Sequence, residues 1–124
     1  MDHEEKTVVV VGASPKPHRF ANRALRLLKE QGYRVIPVHP VYREIEGLPV
    51  VSALEQMVPP VDTVTLYVGC DKSRELAPAL LALRPRRVIF NPGAECPELE
   101  KVLTAAGITC LRACTIVLLR CGEF

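Results

Sequence analysis

Several things are scarce in this chain, and each shortage removes a class of function. No run of five or more Lys/Arg occurs and the net charge is only +2, so a nucleic-acid footprint is missing. No apolar stretch approaches the length of a membrane-crossing helix; Ile116-Val117-Leu118-Leu119 is far too short. The opening Met1-Asp2-His3-Glu4-Glu5-Lys6 is polar and acidic, unlike a secretory leader, so the expectation is a soluble, cytoplasmic protein. The five cysteines include no Cys-x-x-Cys pair, and His3, His18 and His39 are scattered, which argues against zinc. In a reducing compartment the expected state of those cysteines is free thiol. Low-complexity tracts, repeats and linkers are absent too. With 48% apolar and 24% charged residues over 124 positions, the chain reads as a single domain, 1–124.

What is present alternates between two periods. Thr7–Val11 is a β-branched run that stops at Gly12, passes through a polar turn and enters a helix of about Arg19–Gln31. Phe20, Ala24, Leu27 and Leu28 fall on one face of that helix, and Gly32 supplies its stop. A second strand covers Tyr33–Val38. Val41–Val51 reads as irregular, and Ser52 and Glu55 have capping-box spacing for a short helix closed by Pro59-Pro60. The third strand is Thr63–Val68, followed by a helix over Ser73–Leu83 with Pro78 in its first turn or at a kink. Arg87–Phe90 forms the fourth strand. Pro97 opens a helix ending near Ala106 before Gly107, Ile108–Leu111 is the fifth strand, and Ile116–Leu119 is a sixth strand or a covering segment.

Nearly continuous apolar strands separated by helices predict an α/β fold: a Rossmann-like, doubly wound parallel sheet with helices on both faces. The simplest strand order is 3-2-1-4-5. Ligands bind such sheets above the carboxyl ends of the strands. A strand, a glycine turn and a helix start bring backbone N–H groups together there, which suits a phosphate.

The kind of phosphate ligand is narrowed by what the turn is not. A dinucleotide fingerprint would read Gly-x-Gly-x-x-Gly, whereas Gly12-Ala13-Ser14-Pro15-Lys16-Pro17 keeps only the first glycine. The second strand ends Val38-His39-Pro40, with no carboxylate before Glu44 to hold a ribose diol. The nucleoside triphosphate loop Gly-x-x-x-x-Gly-Lys-Ser/Thr is absent. Positive charge comes instead from Lys16, Arg19 and Arg43, a set suited to a diphosphate plus a separate phosphate monoester, as in coenzyme A.

Val10–Pro17 (Val-Val-Gly-Ala-Ser-Pro-Lys-Pro), Gly32–Pro40 (Gly-Tyr-Arg-Val-Ile-Pro-Val-His-Pro) and Glu44–Gly47 (Glu-Ile-Glu-Gly) closely resemble the small, stand-alone bacterial CoA-binding domain proteins. These are similar in turn to the N-terminal domain of the succinyl-CoA synthetase α subunit. The resemblance covers nearly the whole chain, through Val61-Asp62 and Cys114. It implies that Gly12, Ala13 and Ser14 lie against the CoA phosphates, with Lys16 and Arg19 adding charge. It further implies Val38 and Pro40 beside adenine and ribose, Arg43 near the outer phosphate, and Val68 and Gly69 along the pantetheine path. Of Asn91, Pro92 and Gly93, only Gly93 matches the loop that in relatives reads Gln-hydrophobic-Gly, and His39 stands where the motif has Asn.

The expectation is thus a protein that binds CoA or an acyl-CoA without catalysis of its own, since Ser14 has no identifiable His partner. Two other readings stay open: a nicotinamide-sensing module, and a partner subunit of a split acyl-CoA synthetase. The expected partner is the small-molecule ligand, with a homodimer or a partner subunit as the open alternatives for assembly. Tyr42 is a candidate to stack on adenine. Cys114 reads as structural rather than reactive towards the CoA thiol.

Overall fold

The computed structural model describes residues 3–124. Five parallel strands form the main sheet: β1 (His3–Val11), β2 (Tyr33–Val38), β5 (Thr63–Leu66), β6 (Arg87–Phe90) and β7 (Thr109–Arg112). A two-stranded ribbon, β3 (Glu44–Ile45) and β4 (Leu48–Pro49), hangs beside it. The helices are α1 (Phe20–Glu30), α2 (Cys70–Ser73), α3 (Ala77–Leu83), α4 (Pro97–Ala105) and α5 (Thr115–Arg120).

Period-two alternation splits β1 between two cores. Val8 and Val10 pack with Ala21, Leu25 and Leu28 of α1 and Leu119 of α5. Val9 and Val11 pack on the opposite face with Leu80 and Leu83 of α3 and Leu99 and Leu103 of α4. A strand with both faces covered has to be apolar at every position, and Val8, Val9 and Val10 are all 0% exposed. The stretch at 116–119 is therefore a covering helix, with Ile116 and Leu119 buried. Phe20 departs from its expected face and is 64% exposed, with the Arg23 guanidinium 5.5 Å above its ring.

The sheet order is β2-β1-β5-β6-β7. In the numbering of the five expected strands this is 2-1-3-4-5, which corrects 3-2-1-4-5. The doubly wound parallel class stands; the neighbour of the second strand does not. Pro37 explains the difference. Its carbonyl faces outward to accept the Val51 N–H at 2.9 Å, and His39 N–H returns to Val51 O at 3.1 Å. Proline has no N–H to give a further full strand at that edge, so β2 sits outermost and, among the described residues, Val51 alone bridges to that edge.

The connection from β2 to β5 also lacks a crossover α-helix. It runs through the β3–β4 ribbon, whose turn places Glu46 (φ 52) and Gly47 (φ 77) in the left-handed region, as a tight hairpin requires. The expected capping box at Ser52 and Glu55 does not form. Leu54–Gln56 is a 3-10 turn entered from Ala53 with no side-chain cap. The helix expected over Ser73–Leu83 is broken into α2, a 3-10 turn over Arg74–Leu76, and α3, with Pro78 in the first turn of α3. No helix among the described residues is long and apolar enough to cross a membrane.

The cysteine expectation needs a correction as well. Cys70 and Cys96 form a disulfide, leaving Cys110, Cys114 and Cys121 free. The pair is 26 residues apart and joins because β5 and β6 are adjacent, so the segments that follow them lie side by side.

Candidate functional site

From β1 the chain winds first to β2 on one side and then to β5 on the other. The reversal point is the seam between β1 and β5, at Gly12 and Tyr67-Val68. The approach there is close. A Cβ on Gly12 would lie 2.8 Å from Val68 Cγ1 and 3.0 Å from the Tyr67 carbonyl oxygen, and Gly12 has φ +84. Only glycine satisfies both the space and the dihedral.

Above this seam opens a cleft of about 1000 Å³. Gly12, Ala13, Ser14, Lys16 and Arg19 form one side, Val38 and Pro40 another, and Val68, Gly69 and Gly93 the far wall. Ten of the eleven residues singled out from the sequence are thereby brought together. Arg43 is not. It is exposed at the root of the β3–β4 ribbon, where its carbonyl accepts the Val50 N–H at 2.9 Å. The ribbon is tied towards α1 instead, since Lys29 Nζ donates to Glu46 O at 2.7 Å.

The donor pattern of the turn differs from a simple amide cradle. Gly12 N–H and Ala13 N–H both donate to Val38 O, at 3.2 and 3.3 Å, and so fasten the turn to β2. Lys16 N–H donates to Ser14 Oγ at 3.1 Å. Ser14 N–H has no acceptor among the described residues. Helix α1 follows an N-cap at Arg19 that makes no side-chain capping bond, and its first turn holds no acidic residue. Its unpaired first-turn amides and positive dipole end lie beside Lys16 and Arg19. Positive potential at this end comes from the helix start and two cations more than from the glycine turn.

The turn is held from beneath by residues the motif does not include. Asn22 is fully buried; its Nδ2 donates to Ser14 O at 2.9 Å and to Glu46 Oε2 at 3.1 Å. Arg26 Nε donates to Asn22 Oδ1 at 2.8 Å, and Arg26 Nη2 donates to Pro17 O at 3.0 Å. An amide side chain on the buried face of an amphipathic helix was the available sequence signal. Asn22→Ala is expected to destabilise the fold by about 2–3 kcal/mol, because a part-buried carbonyl and a carboxylate lose their donor and Arg26 loses its acceptor. A urea midpoint that does not fall would count against this role.

At the end of β2, His39 Nδ1 accepts the Val41 N–H at 3.1 Å, and the Tyr42 ring is tilted 46° against the imidazole at 4.5 Å. Burial first, and then the Lys72 ammonium, hold the His39 pKa below its ordinary value. His39 is therefore neutral at pH 7, and Lys72 supplies the positive charge on that side. Lys72 lines the cleft together with Leu54 and Leu76. It was invisible as a site residue because its approach depends on where α2 packs. Tyr67 also borders the cleft, and burial pushes its phenol up to about 12, so it stays protonated.

Asn91 is taken up by structure. It is 2% exposed; its Nδ2 donates to Thr65 Oγ1 at 2.6 Å and Leu66 O at 2.9 Å, and its Oδ1 accepts Thr115 N–H at 2.9 Å. Its neighbours Pro92 and Gly93 reach the cleft.

Comparison with known proteins places this geometry. The model of a family described as a CoA binding domain matches residues 6–120. The chain belongs to that family. Another relative of this CoA-binding domain is a Bacillus subtilis (strain 168) protein, uncharacterized YneT, 34% identical over 62 residues. That match spans 50% of this chain and 46% of the relative, about half of each. A solved Thermus thermophilus structure, cell-free ID.343, is 37% identical with a TM-score of 0.88, covering 96% of this chain and 90% of the other. The same domain fold recurs in a dinucleotide forming acetyl-coenzyme A synthetase from Ca. Korarchaeum cryptofilum. That likeness has a TM-score of 0.72 at 23% identity, over 87% of this chain and 25% of the synthetase.

Proposed function

We propose that the cleft binds coenzyme A or an acyl-CoA and that the chain performs no catalysis of its own. The observation that carries this reading is the make-up of the cleft. One end gathers Ser14 N–H, the uncapped start of α1, Lys16 and Arg19, and a wall with two glycines, Gly69 and Gly93, runs away from it. Phosphates suit the first part, and a narrow pantetheine arm suits the second. A Cβ on Gly69 or Gly93 would meet nothing within 4 Å, so a ligand can pass close to the backbone there. Adenine would sit near Val38, Pro40 and Tyr42, and the outer phosphate near Lys72, which takes the part assigned from the sequence to Arg43.

The non-catalytic part of the reading is supported by how the polar groups are engaged. Ser14 Oγ and His39 Nδ1 each accept a backbone N–H and do not pair with one another. The absence of a carboxylate from Val38-His39-Pro40 favours CoA over a nicotinamide nucleotide.

Titration calorimetry with CoA, acetyl-CoA, 3′-dephospho-CoA and NADH tests the assignment. CoA and acetyl-CoA are expected to bind. The dephospho form is expected to bind roughly tenfold more weakly, as loss of a charge-assisted contact to Lys72 implies. No heat from either CoA or acetyl-CoA, or tighter binding of NADH, would remove the proposal.

A further inference from the structure

The segments that follow β5 and β6 do more than border the cleft; they are covalently joined behind it. Val68 and Gly69 come from the first, and Pro92, Gly93 and Ala94 from the second. Directly after them stand Cys70, at the start of α2, and Cys96, immediately before α4, joined as a disulfide with their Cα atoms 4.9 Å apart. The ion pair across the same gap is weak. Arg74 Nη1 lies 3.3 Å from Glu98 Oε2 with both side chains largely in solvent, where such pairs contribute little. Above the Asn91 bonds to Thr65 Oγ1 and Leu66 O at the base of these segments, the disulfide is therefore the principal polar or covalent tie between the two walls among the described residues.

We propose that Cys70 and Cys96 form a redox latch on the cleft, closed as the disulfide and opened by low-molecular-weight thiols. The functional half of this inference rests on the cleft being the ligand site. Exposure decides the direction of attack, because Cys70 is partly accessible and Cys96 is 0% exposed within the α3–α4 core. An incoming thiolate bonds to Cys70 Sγ. The Cys70–Cys96 bond breaks, and its electron pair leaves on Cys96, which takes a proton from water. A second thiolate attacks the small-molecule sulfur of the mixed disulfide and releases Cys70 as a thiol. In total, two small thiols are oxidised to one small disulfide, and one protein disulfide becomes two thiols. With the latch closed, the wall is organised before the ligand arrives; with it open, the ligand has to order two segments on binding.

The thiol of CoA belongs to the class that opens the latch, whereas the sulfur of acetyl-CoA is acylated, so acetyl-CoA is the binding probe. The full chain is studied oxidised, reduced with dithiothreitol, and as Cys70→Ser, which leaves the buried Cys96 in place. Alkylation under denaturing conditions is expected to label three thiols in the oxidised chain and five after reduction. Without ligand, amide hydrogen exchange in 67–73 and 91–97 is expected to quicken about tenfold in the reduced chain and in Cys70→Ser, with β1 unchanged. Acetyl-CoA affinity is expected to fall about tenfold in both. Five labelled thiols under oxidising conditions, or equal exchange in all three forms, would overturn the latch. Equal acetyl-CoA affinity in all three would overturn its control of the cleft. Should acetyl-CoA bind none of them, the ligand assignment fails and the exchange rates still judge the latch.

Discussion

Gly12→Ala is expected to damage both the fold and the cleft. The new methyl group would sit 2.8 Å from Val68 Cγ1 and 3.0 Å from the Tyr67 carbonyl, in a backbone conformation with φ +84. Left-handed strain and overpacking each cost on the order of 1–3 kcal/mol, so a combined loss of about 2–6 kcal/mol is expected. For a domain of this size that corresponds to a fall in melting temperature of roughly 10 °C or more. The Gly12–Ala13 amides that fasten the turn to Val38 O move with it, so CoA heats are expected to vanish at millimolar ligand. A variant that melts within 2–3 °C of the parent, a shift of under about 1 kcal/mol, would show that β1 and β5 are not seamed as described.

Gly69→Phe is expected to separate binding from stability. Gly69 has φ −69 and ψ 165, an extended conformation open to any residue, and a Cβ there meets nothing within 4 Å. The benzyl group would project from the cleft wall without displacing the core. Thermal stability is expected to stay within about 0.5 kcal/mol, as for other surface substitutions. CoA affinity is expected to fall by about a hundredfold, since the group would occupy the trough assigned to the pantetheine arm; this equals about 2.7 kcal/mol. Calorimetry beside a melting curve decides the matter. Undiminished affinity in a stable variant would mean that the ligand path lies elsewhere.

Local chemistry carried most of the legible information. The valine run of β1, Pro97 at the start of α4, and Gly32 and Gly107 as helix stops are statements about single residues and their neighbours, and they hold. The turn Gly12–Ser14, with Lys16 and Arg19, was readable for the same reason. What failed depended on which elements become neighbours. The simplest winding puts the second strand inside the sheet although Pro37 marks an edge, because a proline in an apolar run also fits a simple strand ending. The position of Arg43 after β2 points to the cleft, yet the β3–β4 ribbon swings towards α1 through Glu46, Asn22 and Lys29. Lys72 could not be found from spacing because its approach depends on where α2 packs, nor could the Cys70–Cys96 pair, which depends on the parallel pairing of β5 with β6. Asn22 was hidden for a different reason: a polar residue on an apolar helix face reads as noise until its partners are known.

The Asn91 knot divides the labour of the domain between floor and rim. With one amide group, Asn91 clamps β5, β6 and the start of α5, and a hydroxyl pair between Thr65 and Thr115 at 2.8 Å closes the same knot. Substitutions at the exposed cleft positions Ser52, Glu55, Gly69, Lys72 and Glu75 can then redraw the contour that a guest molecule meets without disturbing its foundation. Divergence in guest selectivity among relatives is accordingly expected to accumulate along that upper contour, while a side-chain amide beneath it is retained.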